Sequence, residues 1–279
     1  MKILNPHNLP DALVKAVTPE DRAINPKRMS VTDLINPPLM RTLKHRHWYE
    51  MTENVEDRAW LMLGSAFHHW IQDKTGVGGE VKFETEMEGY TLVGVADLIG
   101  KSTIVDYKVT SAYSFLLGDK PEWEQQLNCY HWLSSPSDIT KLQIVAILRD
   151  WVESKTYSDP QYPKSAILIK DIPLWTAEKQ VDYIADRLRR HRDNPEAPCT
   201  PEEKWQKPEK WAVKIPNVYK AKRVLDSQKE AEEWAVKNIK GKYEIEHRQG
   251  EDSRCRRYCG VAAFCPFNIY KEERNEDCS

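Results

Sequence analysis

Hydrophobic and polar residues alternate most regularly between positions 80 and 110, in the stretch EVKFETEMEGYTLVGVADLIGKSTIVDYKVT. A period of two residues is typical of β-strands, because successive side chains point to opposite faces of a sheet. Turn-forming residues divide the stretch at Glu88-Gly89 and again at Gly100 to Thr103. The pattern therefore predicts three short strands joined by tight turns.

The second and third of these strands bring two aspartates together. If Ile99 pairs with Ile104 to close the hairpin, Asp97 falls directly opposite Asp106, since each lies two residues from the closing pair. Like charges that face each other across two strands are destabilising, and a divalent cation between them would reverse the sign of the interaction. Lys108 shares a face with Asp106. Two solvated surface aspartates are the alternative, which the neighbouring Val, Ile and Ala residues disfavour.

The rest of the chain mixes helical and strand patterns. A period near 3.6 residues predicts helices over residues 56–74, 121–134, 176–192 and 228–238. Apolar runs predict further strands over residues 142–148, 165–172 and 242–247.

The first helix carries a candidate metal ligand. Its apolar stripe, which we expect to be buried, consists of Trp60, Leu63, Phe67 and Ile71. His68 lies at the edge of this stripe, whereas His69 points to the opposite side and is expected to be solvated. Gly64, one turn before His68, would let the helix approach a sheet closely. His68 is therefore predicted to face the acidic hairpin, although a lone histidine at such an edge is more often structural.

The order of patterns predicts three regions. Residues 1–29 contain several prolines and little periodicity, which indicates an extended arm. Residues 30–194 carry the predicted core, and residues 195–279 follow a proline-rich passage as a C-terminal subdomain packed on that core.

Composition narrows the class of protein. The chain has 279 residues, a formal charge of −2, 40% hydrophobic and 30% charged residues, as expected of a soluble globular protein. No apolar run approaches the length of a membrane span, and the polar start MKILNPHNLP does not resemble a signal peptide, so we expect a cytoplasmic protein without a membrane partner. Nucleic-acid contact would need local basic patches, for which the cluster Arg41 to His47 is a candidate; a merely solvated surface is the alternative.

Three of the six cysteines lie close together near the end of the chain, at Cys255, Cys259 and Cys265. Thiolates at this spacing suit zinc or an iron–sulfur cluster; a cysteine-rich tail without metal is the alternative. A fourth ligand would be Cys199 or Cys278, and we favour Cys199, because a loop held between prolines can present a thiolate rigidly. The sixth cysteine, Cys129, lies on the predicted 121–134 helix, where we expect it to be buried and to have a structural role.

Four sequence elements stand in the order found in one nuclease family. They are the G-x-x-x-H of Gly64 to His68, Asp97, Asp106-Tyr107-Lys108, and the Q-x-x-x-Y of Gln126 to Tyr130. The chain resembles the PD-(D/E)XK nucleases, in the branch with RecB-type domains, and is similar to phage exonucleases of that superfamily. The resemblance implies an α/β fold with a mixed central sheet flanked by helices, as in restriction endonucleases.

The resemblance also implies roles for individual residues. Its metal ligands for Mg²⁺ or Mn²⁺ would be His68, Asp97, Asp106 and the carbonyl of Tyr107. Lys108 would orient the attacking water and stabilise the charged transition state. Gln126 and Tyr130 would position the catalytic strand and the substrate phosphate.

A subgroup of these nucleases, exemplified by AddB and CRISPR-associated nucleases, carries a C-terminal cysteine triplet that holds a [4Fe–4S] cluster. The resemblance implies such a cluster on Cys199, Cys255, Cys259 and Cys265, with Zn²⁺ as the alternative. This chain departs from the subgroup in the first gap, which has three residues instead of two, and in lacking a cysteine before the core.

The implied function is metal-dependent hydrolysis of DNA, by an exonuclease of phage or prophage DNA processing in a bacterial or phage-infected cell. DNA with a free end or a single strand is the implied substrate, with a recombination or single-strand-binding protein as a possible partner. Two alternatives come from other classes: a catalytically inactive nuclease-fold protein that binds DNA, and a cluster-bearing or zinc-bearing sensor or docking protein. The intact Asp97, Asp106 and Lys108 set disfavours the first, since a pure binder gains nothing from carboxylates beside phosphates.

Overall fold

The computed structural model describes residues 1–19, 24–75, 80–116, 120–135 and 138–271. The chain divides into two compact units, Met1–Glu196 and Ala197–Ser279. The first unit includes the predicted core together with residues 1–29. The division falls two residues after the sequence-based boundary, while the packing of the second unit on the first stays a prediction.

Unit 1 contains nine strands and eight α-helices in its described residues, with a 3₁₀ turn over Glu56–Arg58 directly before the fourth helix. The strands are β1 Lys2–Leu4, β2 Arg28–Ser30, β3 Thr52–Asn54, β4 Val81–Met87, β5 Tyr90–Ala96, β6 Leu98–Ile99, β7 Thr103–Thr110, β8 Lys141–Leu148 and β9 Ile167–Ile172. The helices are α1 Asp11–Val17, α2 Val31–Ile35, α3 Pro38–His47, α4 Ala59–Thr75, α5 Ala112–Leu116, α6 Pro121–Ser134, α7 Lys155–Ser158 and α8 Ala177–Asp193.

The strands form mixed sheets. One has the order β6-β7-β8-β9, with β7 and β8 parallel and the outer pairs antiparallel. Another has the order β2-β5-β4, with β2 parallel to β5. Helices flank the sheets, so the predicted α/β class with a mixed sheet is confirmed.

A two-residue turn sets the register of β4 and β5. Glu88 and Gly89 both have positive φ, 51° and 80°, as in the turns that match the twist of paired strands. They connect the directly opposed residues Met87 and Tyr90, so every pair of the hairpin is fixed from this point. The predicted turn is confirmed.

The strand predicted to carry Asp97 is interrupted. β5 ends at Ala96 in one sheet, β6 begins at Leu98 in the other, and Asp97 lies at the break. The predicted pairing of Ile99 with Ile104 is confirmed. Asp97 is thereby released from the strand ladder at the point where the chain changes sheet.

Helix α6 packs closely on the sheet that carries this break. The helix begins at Pro121 as predicted, and its buried residues include Leu127, Tyr130 and Leu133. A Cβ on Gly94 of β5 would lie 2.7 Å from the Leu133 side chain and 3.1 Å from the Tyr130 ring. Any larger residue here would displace Leu133 and press on Tyr130, so Gly94 allows α6 to approach the sheet this closely.

Helix α4 matches the prediction in its bounds but not in its burial. Trp60 is 59% exposed and Leu63 is 42% exposed, so the predicted buried stripe is wrong at both. The helix meets β7 through Phe67, whose ring lies 6.0 Å from that of Tyr107. Periodicity identifies an apolar face, but it does not show how much partner surface is present to cover that face.

The N-terminal region is not an extended arm. Residues 1–29 contain helix α1, and β2 pairs with β5 within the sheet. The basic cluster after it is partly structural, because buried Arg41 donates to the carbonyls of Pro26 and Arg28. Arg46 forms an ion pair with Glu196.

Unit 2 is a small α/β unit. Its described elements are β10 Gln206–Lys207, β11 Lys210–Lys214, β12 Arg223–Leu225, α9 Gln228–Asn238, β13 Glu244–Arg248, β14 Glu251–Asp252 and a π-helical turn Arg254–Tyr258. Ser227 accepts a hydrogen bond from the N–H of Glu230, which confirms the predicted helix start. Ala231 and Ala235 of α9 pack against Val213 of β11. Across both units, none of the described helices combines the length and the hydropathy of a membrane span.

Candidate active site

Asp97 is held by two elements of unit 1. Its Oδ2 accepts a 2.8 Å hydrogen bond from the N–H of Tyr107 on β7. Its Oδ1 lies 3.1 Å from Nδ1 of His68 on α4. The N–H and C=O of a strand residue point toward the same neighbouring strand, so the Tyr107 carbonyl faces the Asp97 side as well. The structure thus brings three of the predicted metal ligands together.

A third carboxylate extends the acidic pair. In the β4–β5 hairpin Val81 pairs with Ala96, and one further step of this register places Glu80 across from Asp97. On the other side Leu98 pairs with Val105, and one further step places Asp106 across from Asp97. When both registers are extended by this step, Glu80 just before β4, Asp97 between β5 and β6, and Asp106 on β7 stand in a row. We define this row as the carboxylate row.

The composition of the row suits a divalent cation. Donor atoms of His68, Glu80 and Asp97 all lie within 4.8 Å of one another. Carboxylate and carbonyl oxygens are the ligands that Mg²⁺ and Mn²⁺ prefer, and imidazole is accepted by transition metals. The hydrogen bond to Asp97 raises the pKa of His68, with the charge of Asp106 acting in the same direction. Two carboxylates and an imidazole thus converge on one position, and Asp106 lies close enough to Asp97 and His68 to act on them electrostatically.

Glu80 was not among the residues singled out from the sequence. The signal was present, because a two-residue turn at Glu88-Gly89 fixes which residues of the hairpin face each other. Counting back from that turn places Glu80 opposite Asp97, by the same reasoning that placed Asp106 there.

Asp106 is the most buried member of the row, with 3% of its surface exposed. Burial raises the pKa of its carboxyl group, and the charge of Asp97 adds to this, whereas Lys108 opposes it. Its Oδ2 lies 2.7 Å from Nζ of Lys108, yet this oxygen has no well-aligned hydrogen bond within the described part of the chain. Because a buried carboxylate oxygen without such a bond still needs a partner, Oδ2 of Asp106 is suited to bind a metal ion.

Lys108 is oriented by the predicted Q-x-x-x-Y pair. Its Nζ donates to Oε1 of Gln126 over 2.9 Å, and Nε2 of Gln126 donates to the Tyr130 hydroxyl over 2.7 Å. Burial raises the pKa of Tyr130, so its hydroxyl stays protonated. The chain of contacts from α6 fixes the amine beside Asp106.

A cleft of about 380 Å³ opens beside the candidate metal ligands. It is lined by Trp60, Leu61, Gly64, Ser65, His68, His69, Glu80, Val95 and Asp97. Apart from its chain neighbours and the backbone of α4, no atom of the described residues lies within 4 Å of the position that a Cβ on Gly64 would occupy. The expectation that this glycine lets α4 approach a sheet is therefore wrong. Gly64 faces the open cleft.

The adjacent histidines of α4 provide a matched pair for mutation. His68→Ala should weaken metal-dependent activity by at least about tenfold, because it removes a ligand and the partner of Asp97 Oδ1. His69 is exposed as predicted, but it lines the cleft and does not point to the opposite side; because it is outside the group of converging donors, His69→Ala should change the metal dependence far less. Measuring activity against Mn²⁺ concentration for both variants tests this. Equal effects of the two changes would remove His68 from the ligand set.

The cysteines of unit 2 converge without forming disulfides. All five described cysteines are free thiols, and Cys129 of unit 1 is buried, as predicted. Burial, the charge of Glu203 and the charges of Cys255, Cys259 and Cys265 together raise the pKa of Cys199 to about 12, so the four cysteines lie within electrostatic reach of one another. The alternative ligand Cys278 lies outside the described residues.

The model of the PD-(D/E)XK nuclease superfamily matches residues 31–266, which is most of the sequence. The chain belongs to the PD-(D/E)XK nuclease superfamily. The match spans the carboxylate row, the Lys108 network and the cysteines of unit 2. This confirms the family named from the motifs and supports nuclease activity.

Two solved structures resemble this PD-(D/E)XK chain. The crystal structure of SSO0001 is 19% identical with a TM-score of 0.43, covering 64% of this chain and 82% of that one. An alkaline exonuclease (LHK-Exo) from Laribacter hongkongensis is 12% identical with a TM-score of 0.36, covering 61% and 90%. A comparison with curated proteins finds no match.

Proposed function

We propose that this protein is a divalent-metal-dependent deoxyribonuclease that hydrolyses phosphodiester bonds from DNA ends. The observation that carries the proposal is the carboxylate row of Glu80, Asp97 and Asp106 with Lys108 fixed beside it. Without a cation, this arrangement opposes three negative charges across strands and buries one of them, which destabilises the fold.

The residues present fit Mg²⁺ or Mn²⁺. His68, Glu80, Asp97, Asp106 and the Tyr107 carbonyl would hold the ion. Bound there, it would supply Lewis-acid polarisation of the scissile phosphate and a water of lowered pKa.

The remaining groups have roles of their own. Lys108 holds its ammonium group at the metal side of Asp106, where it can orient a water and stabilise negative charge that develops on the phosphate. Gln126 fixes that amine through Oε1, and Tyr130 fixes Gln126. A group preorganised in this way costs no reorganisation during the reaction.

Digestion of DNA tests the proposal. End-labelled linear DNA, closed circular DNA and RNA of matched sequence are incubated with the protein in Mg²⁺, in Mn²⁺ and in chelator. We expect nucleotides to be released from linear DNA alone, and only with metal. Cleavage of circular DNA would show that the protein is an endonuclease and not an exonuclease. The absence of cleavage under all conditions would favour the inactive DNA-binding alternative.

Glu80→Gln tests the carboxylate row without removing a side chain. Loss of one negative charge from the row should weaken Mn²⁺ binding by about tenfold or more, since affinity depends on the charge of the ligands. Glu86→Gln, on β4, the strand that directly follows Glu80 in the chain, but outside the row, is the matched control. Titration calorimetry with Mn²⁺ measures both. An unchanged affinity in Glu80→Gln would remove Glu80 from the site.

We also propose that Cys199, Cys255, Cys259 and Cys265 hold a [4Fe–4S] cluster. Four converging thiols whose thiolates repel one another fit a cationic centre. The family resemblance favours the cluster, and Zn²⁺ on the same four thiolates is the alternative.

The biological setting is proposed from the family resemblance. We place the enzyme in phage or prophage DNA processing, in the cytoplasm of a bacterial or phage-infected cell. A recombination or single-strand-binding protein is the proposed partner. Co-purification from infected cells, with and without nuclease treatment, would separate a protein partner from a bridge of DNA.

A further inference from the structure

One wall of the active-site cleft is an exposed aromatic surface. Trp60 is 59% exposed and lies in the cleft with the metal ligands His68, Glu80 and Asp97. Along α4, Trp60 precedes His68 by eight residues, which is about 12 Å at the rise of an α-helix. A short length of bound nucleic-acid strand would therefore span the distance between the indole and the carboxylate row.

The indole is held in place by a cation. The guanidinium carbon of Arg149 lies 4.1 Å from the centroid of the Trp60 ring. Arg149 directly follows β8, and its N–H donates to the carbonyl of Thr110 over 2.9 Å, so its backbone is tied to the sheet. A cation over one face of tryptophan is attracted by the ring quadrupole. Trp60 is thus oriented before any ligand arrives, while much of its surface stays open.

The space beside the indole is also open. Gly64 follows Trp60 by one helical turn and lies on the same face of α4. Apart from its chain neighbours and the backbone of its own helix, no described atom lies within 4 Å of where its Cβ would be, so no side chain fills the space over Gly64. A flat ligand can therefore reach the indole from the cleft.

We infer that Trp60 and Arg149 form a stacking site for an unpaired base of the DNA strand whose phosphate lies at the carboxylate row. This inference rests on the proposed nuclease function and narrows its substrate to a single strand or a frayed end. Aromatic side chains bind any base through its π-face, and arginine adds a cation for the backbone. In an intact duplex the interior bases already stack on each other, so their faces are not accessible to Trp60.

The chain offers a matched control for this site. Trp70 lies on the same helix and is 60% exposed, yet it does not line the cleft. Trp60→Leu and Trp70→Leu therefore remove the same ring from the same helix at equal exposure. Trp60→Phe retains an aromatic face and serves as the conservative variant.

Binding of fluorescent oligodeoxythymidylate of about ten nucleotides tests the inference. It is measured by anisotropy in Ca²⁺ beside a blunt duplex of the same length, with the melting temperature of each variant. Trp60→Leu should weaken single-strand binding by about 5- to 150-fold, with little change for the duplex. Trp60→Phe should recover most of this loss, and Trp70→Leu should bind as wild type.

Abasic sites locate the contact along the strand. A strand with one abasic position opposite Trp60 should bind wild type more weakly, and this difference should vanish in Trp60→Leu. Equal losses for Trp60→Leu and Trp70→Leu, or equal losses on single strand and duplex, would overturn the inference. Because binding is measured apart from hydrolysis, a protein that cleaves DNA but binds it independently of Trp60 would disprove the stacking site alone. Stacking without metal-dependent cleavage would disprove the nuclease alone.

Discussion

Lys108→Ala and Asp106→Ala proteins are expected to fold and to bind DNA while leaving it uncut. Lys108 is the amine that Gln126 and Asp106 fix in place, and removal of one preorganised charge-stabilising group typically lowers kcat by about 10²- to 10³-fold or more. Asp106→Ala removes a proposed metal ligand and should reduce hydrolysis to background. Release of nucleotides from end-labelled linear DNA measures both effects.

A control in the same sheet separates catalysis from folding. Lys141 begins β8, is paired with Asp171 over 3.2 Å and lies on the solvent side of the strand. Lys141→Ala should retain full activity. Wild-type turnover by Lys108→Ala would remove the catalytic assignment.

The isosteric change Asp106→Asn removes only the negative charge, so it tests how that charge affects stability and activity. Burial and the neighbouring charge of Asp97 raise the pKa of Asp106, so its ionised form is disfavoured in the metal-free protein. Asp106→Asn should therefore melt no lower than wild type in chelator, while being inactive with metal. A large loss of stability in chelator would show that the ion pair with Lys108 outweighs the repulsion.

The second large effect concerns unit 2. Protein purified without oxygen should be brown and contain about four irons per chain, and Cys199→Ser should abolish both the colour and the iron. The structure supports Cys199, because the thiolates of the other three cysteines act on it. Structural metal centres contribute folding free energy directly, so residues 197–271 should also become sensitive to limited proteolysis.

Two cysteines serve as controls for the cluster. Cys129 is buried in unit 1, and burial raises the pKa of its thiol to about 12, so Cys129→Ser should keep the colour. Cys278→Ser should keep it as well. Loss of colour in Cys278→Ser, with colour retained in Cys199→Ser, would show that Cys278 is the fourth ligand and Cys199 is not. Stoichiometric zinc without visible absorbance would contradict the cluster.

The hairpin shows what a local pattern can establish. Alternation and turn residues identified β4, β5 and β7, and the Ile99 pairing with Ile104 followed from counting. Such pairings depend on residues close in sequence, and a two-residue turn leaves a single register. The same count from the Glu88-Gly89 turn places Glu80 opposite Asp97, although the pairing of Asp97 with Asp106 alone does not reveal Glu80.

The missed features depend on distant contacts. The burial of α4 is set by how much of the sheet lies under it, which its own period does not contain, so Trp60 was expected in the core and is exposed. The N-terminal residues lack periodicity, yet β2 is stabilised by pairing with β5, about sixty residues away. Arg41 looked like a phosphate ligand, but its partners are backbone carbonyls of that same region.

Anomalous diffraction from crystals soaked in Mn²⁺ is the most direct test of the central claim, that the carboxylate row of Glu80, Asp97 and Asp106 is a metal site. The account predicts one strong peak between Asp97 and Asp106, within bonding distance of the Tyr107 carbonyl, and no peak there in Asp106→Ala crystals. A map without density at the row, at a Mn²⁺ concentration that supports DNA cleavage in solution, would contradict it.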